Sequence, residues 1–227
     1  MNEYLNKIIC GDCLEVMKKL PDKCVDLVLT DPPYGINFQS AWRTDKAKWK
    51  PKIANDKLPF IWWLYDGYRV TKDGGSLICF SRWDVDQDFK RSIELAGWTI
   101  KSQIIWDRQV HGMGDIKASF APQHDTIWFA VKGKFQFPNK RPKSVLSFQR
   151  VSADKLTHPN EKPNELLEHL INTLTTEGQT ILEPFAGSGS TLTACKQLNR
   201  NFIGVEISEE YCKIAEQRLK NLQPPLL

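Results

Sequence analysis

Short apolar stretches rich in β-branched residues alternate with amphipathic stretches along most of this chain of 227 residues. Such alternation is typical of a largely parallel sheet with helices packed on both faces. The predicted strands are Tyr4–Ile9, Val25–Thr30, Gly75–Phe80, Trp98–Trp106, Thr126–Val131, Thr180–Pro184 and Phe202–Glu206. The predicted helices are Leu14–Leu20, Phe60–Val70, Val85–Ala96, Pro163–Leu174, Thr191–Leu198 and Ser208–Leu222.

No helical pattern separates Trp98–Trp106 from Thr126–Val131, so these two strands are expected to pair antiparallel at an edge of the sheet. We therefore predict a doubly wound α/β sheet of about seven strands, mostly parallel with one antiparallel pair. The length suits one domain, residues 1–227, with one core. Segments 35–57, 107–124 and 132–157 show neither pattern, and loops of that length are usually functional.

The composition excludes several classes of protein. No apolar run reaches the length of a membrane span, and the first residues lack a secretory signal pattern, so a cytoplasmic protein is expected. The six cysteines lie mostly in apolar patterns and are expected to be reduced thiols. Cys10 and Cys13 form a C-x-x-C, but no second pair or histidine stands at ligand spacing, so no metal site is predicted.

Positive charge is concentrated in two runs, although the net charge is only +4. Arg43–Lys57 carries six basic residues against two acids, and Lys132–Arg150 carries six basic residues and no acid. A charged run is often only a solvated face. Aromatic residues and prolines within both runs favour a polyanion as the partner.

The stretch VDLVLTDPPYGI, Val25–Ile36, is a buried strand that stops at an acid, two prolines and a tyrosine. Pro32 and Pro33 lack amide hydrogens and hold φ near about −65°, so they cannot extend a ladder. A rigid corner carrying Asp31 and Tyr34 is therefore expected at the carboxyl end of the strand. That end is where open α/β sheets bind ligands.

A second ligand site is predicted in TILEPFAGSGSTLTACKQL, which is a strand, a glycine turn and a helix. Gly187 and Gly189 let the backbone approach a ligand, and the helix start offers free amides. The turn has neither the lysine of a phosphate-binding loop nor the spacing of a dinucleotide fingerprint. Glu206 ends the next strand, where an acid can bind both hydroxyls of a ribose; helix capping is the alternative role. These residues predict an adenosine-containing ligand without a pyrophosphate.

The DPPY and EPFAGSGS motifs together resemble those of the DNA amino-methyltransferases that use S-adenosylmethionine. The DPPY comes first and the glycine turn last, an order that resembles the permuted beta class of DNA adenine-N6 methyltransferases. The matching segments cover nearly the whole chain: IICGDCLEVMKKLPDKCVDLVLTDPPY, HPNEKPNELLEHLI and ILEPFAGSGSTLTACKQLNRNFIGVEISEEYCKIAEQRL. The resemblance implies a Rossmann-like methyltransferase sheet with circularly permuted motif order. It also implies S-adenosylmethionine as the methyl donor, no metal, and double-stranded DNA as the substrate.

By this resemblance Asp31, Pro32, Pro33 and Tyr34 form the catalytic corner. The exocyclic amine of adenine is a poor nucleophile, because its lone pair is delocalised into the ring. Asp31 and the Pro32 carbonyl would accept hydrogen bonds from this amine, and Tyr34 would stack on the base. The base must leave the duplex to reach such a pocket.

The resemblance draws the cofactor site from both ends of the chain. Glu206 would bind the ribose, Asp12 would bind the adenine amine with Cys13 nearby, and Asp31 would border the cofactor. Lys162 would bind the methionine carboxylate; an ordinary surface lysine is the alternative. The other residues that the resemblance places at the cofactor are His158, Pro163, Phe185, Ala186, Gly187 and Gly189.

Residues 107–157 are expected to form an embedded target-recognition region. Lys140, Arg141 and Lys143 are predicted to contact phosphates, which position DNA without reading its sequence. The region is short for this class. A short or relaxed target sequence, or help from a second subunit in a homodimer, would account for that, and a cognate restriction endonuclease is a further candidate partner of a bacterial or phage-encoded enzyme.

Other activities stay open at this point. Methylation of the 4-amino group of cytosine is the alternative in the same chemistry, although serine is common in the cytosine enzymes where this chain has Asp31. The absence of any Pro-Cys dipeptide argues against methylation at cytosine carbon 5. Methylation of RNA or protein, and a non-catalytic DNA-binding or cofactor-sensing protein on the same fold, are the remaining alternatives.

Overall fold

The computed structural model describes residues 1–35, 57–112, 117–152 and 161–222. The strands in these ranges are β1 Lys7–Cys10, β2 Val25–Thr30, β3 Thr71–Ser81, β4 Thr99–Asp107, β5 His124–Val131, β6 Val145–Ser147, β7 Thr180–Glu183 and β8 Asn201–Glu206. The helices are α1 Cys13–Lys19, α2 Trp63–Val70, α3 Asp86–Leu95, α4 Asn164–Leu174, α5 Ser190–Gln197 and α6 Glu209–Asn221.

All eight strands form one sheet in the order β1-β8-β7-β2-β3-β5-β4-β6. Within the described ranges, β5 alone runs antiparallel to its neighbours β3 and β4. The other seven strands therefore end at one edge of the sheet, where β5 begins. We call this the carboxyl edge. It receives the residues that follow each parallel strand.

The sheet reverses its winding between β2 and β7. These two strands pair in parallel through Leu27 with Ile181 and Val28 with Leu182. The chain leaves β2 towards β3 on one side and leaves β7 towards β8 on the other. Such a switch point opens a crevice at the carboxyl ends of the two strands, which is where doubly wound proteins bind ligands.

The central strands are buried on both faces, and this explains their nearly continuous apolar sequences. Five of the six residues of β2 are buried, as are all four residues of β7. Helix α4 packs an apolar stripe against the core, with Leu166, Leu170 and Ile171 among its buried residues. The spacing of these residues by three and four positions is the helical pattern seen in the sequence.

The predicted α/β class, the mostly parallel sheet and the antiparallel pairing of β4 with β5 are confirmed. The prediction was about seven strands, and the described residues form eight, because Val145–Ser147, which was not predicted as a strand, pairs with β4. Only the middle residue of β6 is buried, so the segment has no apolar run to mark it. Its pairing with β4 and the bond from Trp106 Nε1 to the Phe148 carbonyl, 2.8 Å, hold it in place.

The predicted edge position of Thr126–Val131 is wrong. Strand β5 lies between β3 and β4, and β6 forms that edge of the sheet. The strand bounds otherwise differ from prediction by few residues, except that β3 begins at Thr71 and is irregular before Ser76, where its regular pairing with β2 starts. Within the described residues no helix is long and apolar enough to cross a membrane.

Candidate active site

The acid of the DPPY corner lies at the switch point, directly after β2. Both of its carboxylate oxygens accept hydrogen bonds. The Tyr34 hydroxyl donates to Asp31 Oδ1, and the Lys162 ammonium donates to Asp31 Oδ2. Lys162 lies 131 residues further along the chain, so the fold brings two predicted site residues into direct contact.

The side chain of Lys162 is only 12% exposed. Its Nζ also stands 4.9 Å from the centre of the Phe80 ring, a cation–π distance. An ordinary surface lysine is therefore the wrong description. Pro163 follows as the residue that precedes α4, while His158 falls outside the described residues.

The ring of Tyr34 is more enclosed than a stacking platform would be. The residue is 9% exposed, and its ring meets Phe89 edge-on at 6.2 Å between centroids. Burial, with the nearby Asp31 charge, raises the pKa of Tyr34 well above its usual value. The hydroxyl therefore stays protonated and donates to Asp31. Its stacking on a base stays a prediction.

The second proline of the corner is anchored through its carbonyl. The Pro33 carbonyl accepts the Phe60 amide at 3.0 Å, which ties the corner to the segment before α2. The ring of Phe185 stands beside that segment, 5.8 Å from the centroids of both Phe60 and Trp63. The acceptor role of the Pro32 carbonyl towards a ligand stays a prediction.

The glycine turn follows β7 on the other side of the switch point. Gly187 and Gly189 have φ of 50° and 83°, in the left-handed region that favours glycine. A Cβ on Gly189 would lie 2.7 Å from the Ala215 Cβ, so this position also needs glycine for space. The Ala186 amide donates to the Val205 carbonyl at 2.8 Å, which fixes the turn against β8.

The carboxylate of Glu206 faces this turn. It accepts the Gly187 amide and the Ser208 amide, both at 2.8 Å. Burial raises the pKa of Glu206, and these amide bonds oppose the shift. The cap of α6 is Ser208 itself, whose hydroxyl accepts the Tyr211 amide. Glu206 is therefore not the capping residue of α6, and the alternative role of helix capping is wrong.

Asp12 lies at the end of the neighbouring strand. Strand β1 pairs with β8, with Cys10 opposite Glu206, so the two acids predicted for the adenosine do come together at the carboxyl edge. Asp12 also caps α1, accepting the Leu14 amide at 2.8 Å. Burial raises the pKa of Cys13 to about 12, so this residue carries a neutral thiol.

Comparisons with known proteins give the family of this chain. The family model described as DNA methylase, for the N6 and N4 enzymes, matches residues 25–217. The chain belongs to this DNA methylase family. The methylase is 32% identical to the putative methylase YubD of Escherichia coli (strain K12), over 96% of this chain and 92% of that one. It is 29% identical to the DNA adenine methyltransferase YhdJ of the same strain, over 93% and 82%.

A solved structure extends the comparison to the fold. The crystal structure of the M1.HpyAVI–SAM complex superposes on the methylase with a TM-score of 0.72 at 26% identity. The match covers 95% of this chain and 99% of that one. Among the residues that our structure describes, no group of three or more His, Cys, Asp or Glu side chains is placed to hold a metal ion.

Sequence reasoning missed Glu183, the last residue of β7. This glutamate is 4% exposed and accepts three hydrogen bonds. The donors are the Thr30 hydroxyl at 2.6 Å, the Thr191 hydroxyl at 3.1 Å and the Phe185 amide at 3.1 Å. One carboxyl group thus links β2 just before Asp31, the glycine turn and α5. An acid at the end of a fully buried strand was the available signal.

A second missed contact joins the segment before α4 to the glycine turn. Arg218 on α6 donates to Glu161 at 2.6 Å and to the Ser188 hydroxyl at 2.9 Å. The Ser190 hydroxyl donates to the same oxygen of Glu161 at 3.1 Å. The ion pair with Arg218 thus holds Glu161, the residue before Lys162, against the glycine turn of the methylase.

The basic run of the methylase does not act as one surface. Lys132 is buried, and its ammonium donates to the carbonyls of Tyr68 and Thr71 at 2.6 and 2.8 Å. It lies at the edge of the sheet opposite the active site, because β5 is antiparallel. The predicted phosphate contacts Lys140, Arg141 and Lys143 are exposed, on the stretch that leads back to β6. The Arg43–Lys57 run lies outside the described residues except for Lys57.

We expect the pH dependence of the stability of the methylase to reflect the protonation of the buried Glu183. Burial raises its pKa to about 8 from an ordinary 4.5, so between these pH values the folded protein holds a proton that the unfolded chain releases. The free energy of unfolding of the wild type therefore falls as pH rises through this window. Glu183→Gln cannot ionise and should gain stability relative to the wild type by about 1.4 kcal/mol per pKa unit of the shift.

Urea denaturation at pH 5 and pH 8 measures this difference. Glu165→Gln, which changes an exposed glutamate on α4, is the matched control and should follow the wild type at both values. A stability difference between Glu183→Gln and the wild type that is the same at pH 5 and pH 8 would contradict the assignment.

Proposed function

We propose that this methylase transfers a methyl group from S-adenosylmethionine to the 6-amino group of an adenine in double-stranded DNA. The observation that carries the proposal is the position of Asp31. Its carboxylate lies at the switch point, where the DPPY corner faces the glycine turn. Hydrogen bonds from Tyr34 and Lys162 hold it there. The similarity to an adenine methyltransferase and to a structure solved with S-adenosylmethionine supports the same reaction.

The corner would act by accepting hydrogen bonds from the amine. Asp31 would accept one hydrogen bond of the amine and the Pro32 carbonyl would accept the other, which frees the nitrogen lone pair for attack on the methyl group. As the nitrogen–carbon bond forms, the carbon–sulfur bond would break and S-adenosylhomocysteine would leave as a neutral thioether, while the amine would lose one proton to Asp31 and from there to solvent. The rigid Pro-Pro backbone fixes the second acceptor, so little reorganisation is needed at the moment of reaction. S-adenosylmethionine supplies a methyl group that its positive sulfonium already activates. The remaining task of the protein is alignment.

The cofactor would occupy the other half of the carboxyl edge. Glu206 suits the two ribose hydroxyls and Asp12 suits the adenine amine, because Glu206 ends β8 and Asp12 follows the adjacent strand β1. Gly187 and Gly189 let the turn approach the methionine part. Lys162 would balance the methionine carboxylate when the cofactor is bound; in the structure its ammonium pairs with Asp31.

The target-recognition role of residues 107–157 belongs to this proposal, as do a homodimer, a cognate restriction endonuclease and a cytoplasmic location. Methylation of the cytosine 4-amino group is the second candidate, since the matching family covers both amines. The aspartate at position 31 and the similarity to YhdJ favour adenine. Digestion of the methylated DNA to nucleosides distinguishes the two products directly.

Asp31→Ala should lower the rate of methyl transfer by about 100-fold or more, the scale of a missing proton acceptor. Binding of S-adenosylmethionine should stay within about threefold, since Glu206, Asp12 and Lys162 are retained and the ligand contact that the variant removes is the one with the amine. Transfer of labelled methyl groups to duplex DNA and calorimetry measure the two effects. Asp73→Ala, which removes an exposed acid that pairs with Lys23, is the control. Comparable turnover by Asp31→Ala would remove the proposed catalytic role.

Glu206→Ala should weaken binding of S-adenosylmethionine by at least about 1.5 kcal/mol, the scale of a hydrogen bond to a charged group. The same experiment on Glu15→Ala, which removes an exposed acid of α1, should give the wild-type affinity. Isothermal calorimetry gives both values. Unchanged affinity for Glu206→Ala would place the ribose elsewhere.

Replacing Lys140, Arg141 and Lys143 together by glutamine should flatten the dependence of DNA affinity on salt. The log–log slope should change by about 0.9 for each phosphate that the variant no longer neutralises. The methylated base should stay the same, because phosphate contacts carry no sequence information. Fluorescence anisotropy across a salt series measures the slope.

The control for this experiment changes three lysines that already pair with acids, namely Lys18, Lys23 and Lys72. Their replacement by glutamine should leave the slope unchanged. If the first triple variant also keeps the wild-type slope, the stretch is only a solvated face.

A further inference from the structure

The connection between β4 and β5 leaves the carboxyl edge as an arm, formed by residues 108–112 and 117–123 in the described ranges. Hydrogen bonds across its base hold the two sides together. The Arg108 amide donates to the Gln123 carbonyl at 3.0 Å, and the Gly112 amide donates to the Pro122 carbonyl at 2.8 Å.

Side chains reinforce the base of the arm. Arg108 Nη2 donates to the Pro122 carbonyl at 2.6 Å, and Gln123 Nε2 donates to Asp107 Oδ1 at 2.9 Å. Arg108 also stands 3.6 Å from the carboxylate of Asp125. The arm is thus fixed to the ends of two strands of the rigid sheet.

The arm carries Phe120, which is fully exposed. A fully exposed phenyl ring gives up the burial that drives folding, while other phenylalanines such as Phe89 and Phe129 are buried. The residue therefore adds nothing to the core. A ring that protrudes from a fixed base is suited to a partner that offers flat apolar faces.

The position of the arm points to the partner. Strands β4 and β5 lie two to three places from β2, which puts the base of the arm about 10–15 Å from the DPPY corner at ordinary strand spacing. The arm lies on the side away from Glu206 and the glycine turn. A duplex that presents a base to the corner lies against the carboxyl edge, within reach of an arm at this distance.

We propose that Phe120 inserts into the duplex and stacks on the bases that flank the extruded adenine. The inference rests on the proposed function. Extrusion breaks the stacking of the target with its neighbours and leaves a gap between them. An apolar ring that fills such a gap restores part of the stacking, as apolar wedges do in proteins that kink DNA. Phe120 is then a positioning residue and does not touch the reacting atoms.

The test compares two duplexes that carry the site the enzyme methylates. One is fully paired, and the other lacks the base opposite the target adenine, so its target is already unpaired. On the paired duplex, Phe120→Ala should lower single-turnover methyl transfer by about tenfold or more, within the range that one stacked base supplies. On the duplex with the missing base, the variant should come within about threefold of the wild type, since less stacking remains to be broken.

Two further variants make the result specific to an inserted ring. Phe120→Trp should keep most of the activity on the paired duplex. Leu95→Ala removes another exposed apolar side chain, 74% exposed on α3, and should behave as the wild type on both duplexes. Trp83 follows β3 at the carboxyl edge and is as exposed as Leu95. If Trp83→Ala lost methyl transfer on the paired duplex alone and Phe120→Ala did not, the assignment to Phe120 would be overturned.

A fluorescent adenine analogue at the target position, 2-aminopurine, separates failure of this inference from failure of the proposed function. The analogue brightens when it leaves the stack, whether or not methyl transfer follows. The wild type should brighten it in a paired duplex and Phe120→Ala should do so less. Normal transfer by Phe120→Ala, or an equal loss on both duplexes, overturns the wedge while the proposed function stands. Brightening by the wild type that Phe120→Ala lowers, without transfer of a methyl group to any duplex, supports the wedge and overturns the proposed function.

Discussion

The parallel contact between β2 and β7 is the constraint on which the rest of the molecule depends. It joins segments more than 150 residues apart, and side chains secure both of its ends. At the amino end the Asp26 carboxylate accepts the Thr180 amide at 2.9 Å, and at the carboxyl end Glu183 accepts the Thr30 hydroxyl at 2.6 Å. Without this pairing the DPPY corner and the glycine turn would belong to separate halves of the sheet.

The strand order and strand directions place acids and bases at different edges of the sheet. Asp12 follows β1 and Glu206 ends β8, at the part of the carboxyl edge where a cationic sulfonium is proposed to lie. The exposed Lys140–Lys143 stretch precedes β6, which runs parallel to β4, so the stretch lies towards the opposite edge of the sheet. A cationic cofactor would therefore meet acids, while phosphates bound by Lys140–Lys143 would lie away from Asp31.

Local patterns in the sequence predicted most of the fold and the acids at the strand ends, because strand and turn signals lie within a few neighbouring residues. These local patterns could not predict which distant residues the side chains contact in the fold. The contact of Lys162 with Asp31 spans 131 residues, and the buried Lys132 ammonium depends on the carbonyls of Tyr68 in α2 and Thr71 at the start of β3. The short β6 was missed because its stability comes from pairing at an edge and hardly from its own apolar content.

The carboxyl group shared by Thr30 and Thr191 has a thermodynamic consequence for the two ligands. A shift of the glycine turn would move the Glu183 carboxyl group. Because the Thr30 hydroxyl donates to the same carboxyl group, the shift would also change the position of Thr30, the residue before Asp31. Any effect of the cofactor on affinity for the base would then be matched by an equal effect of the base on affinity for the cofactor, because linkage is reciprocal. Binding of the two would be cooperative, or anticooperative, to the extent that Glu183 prefers one arrangement of its three donors.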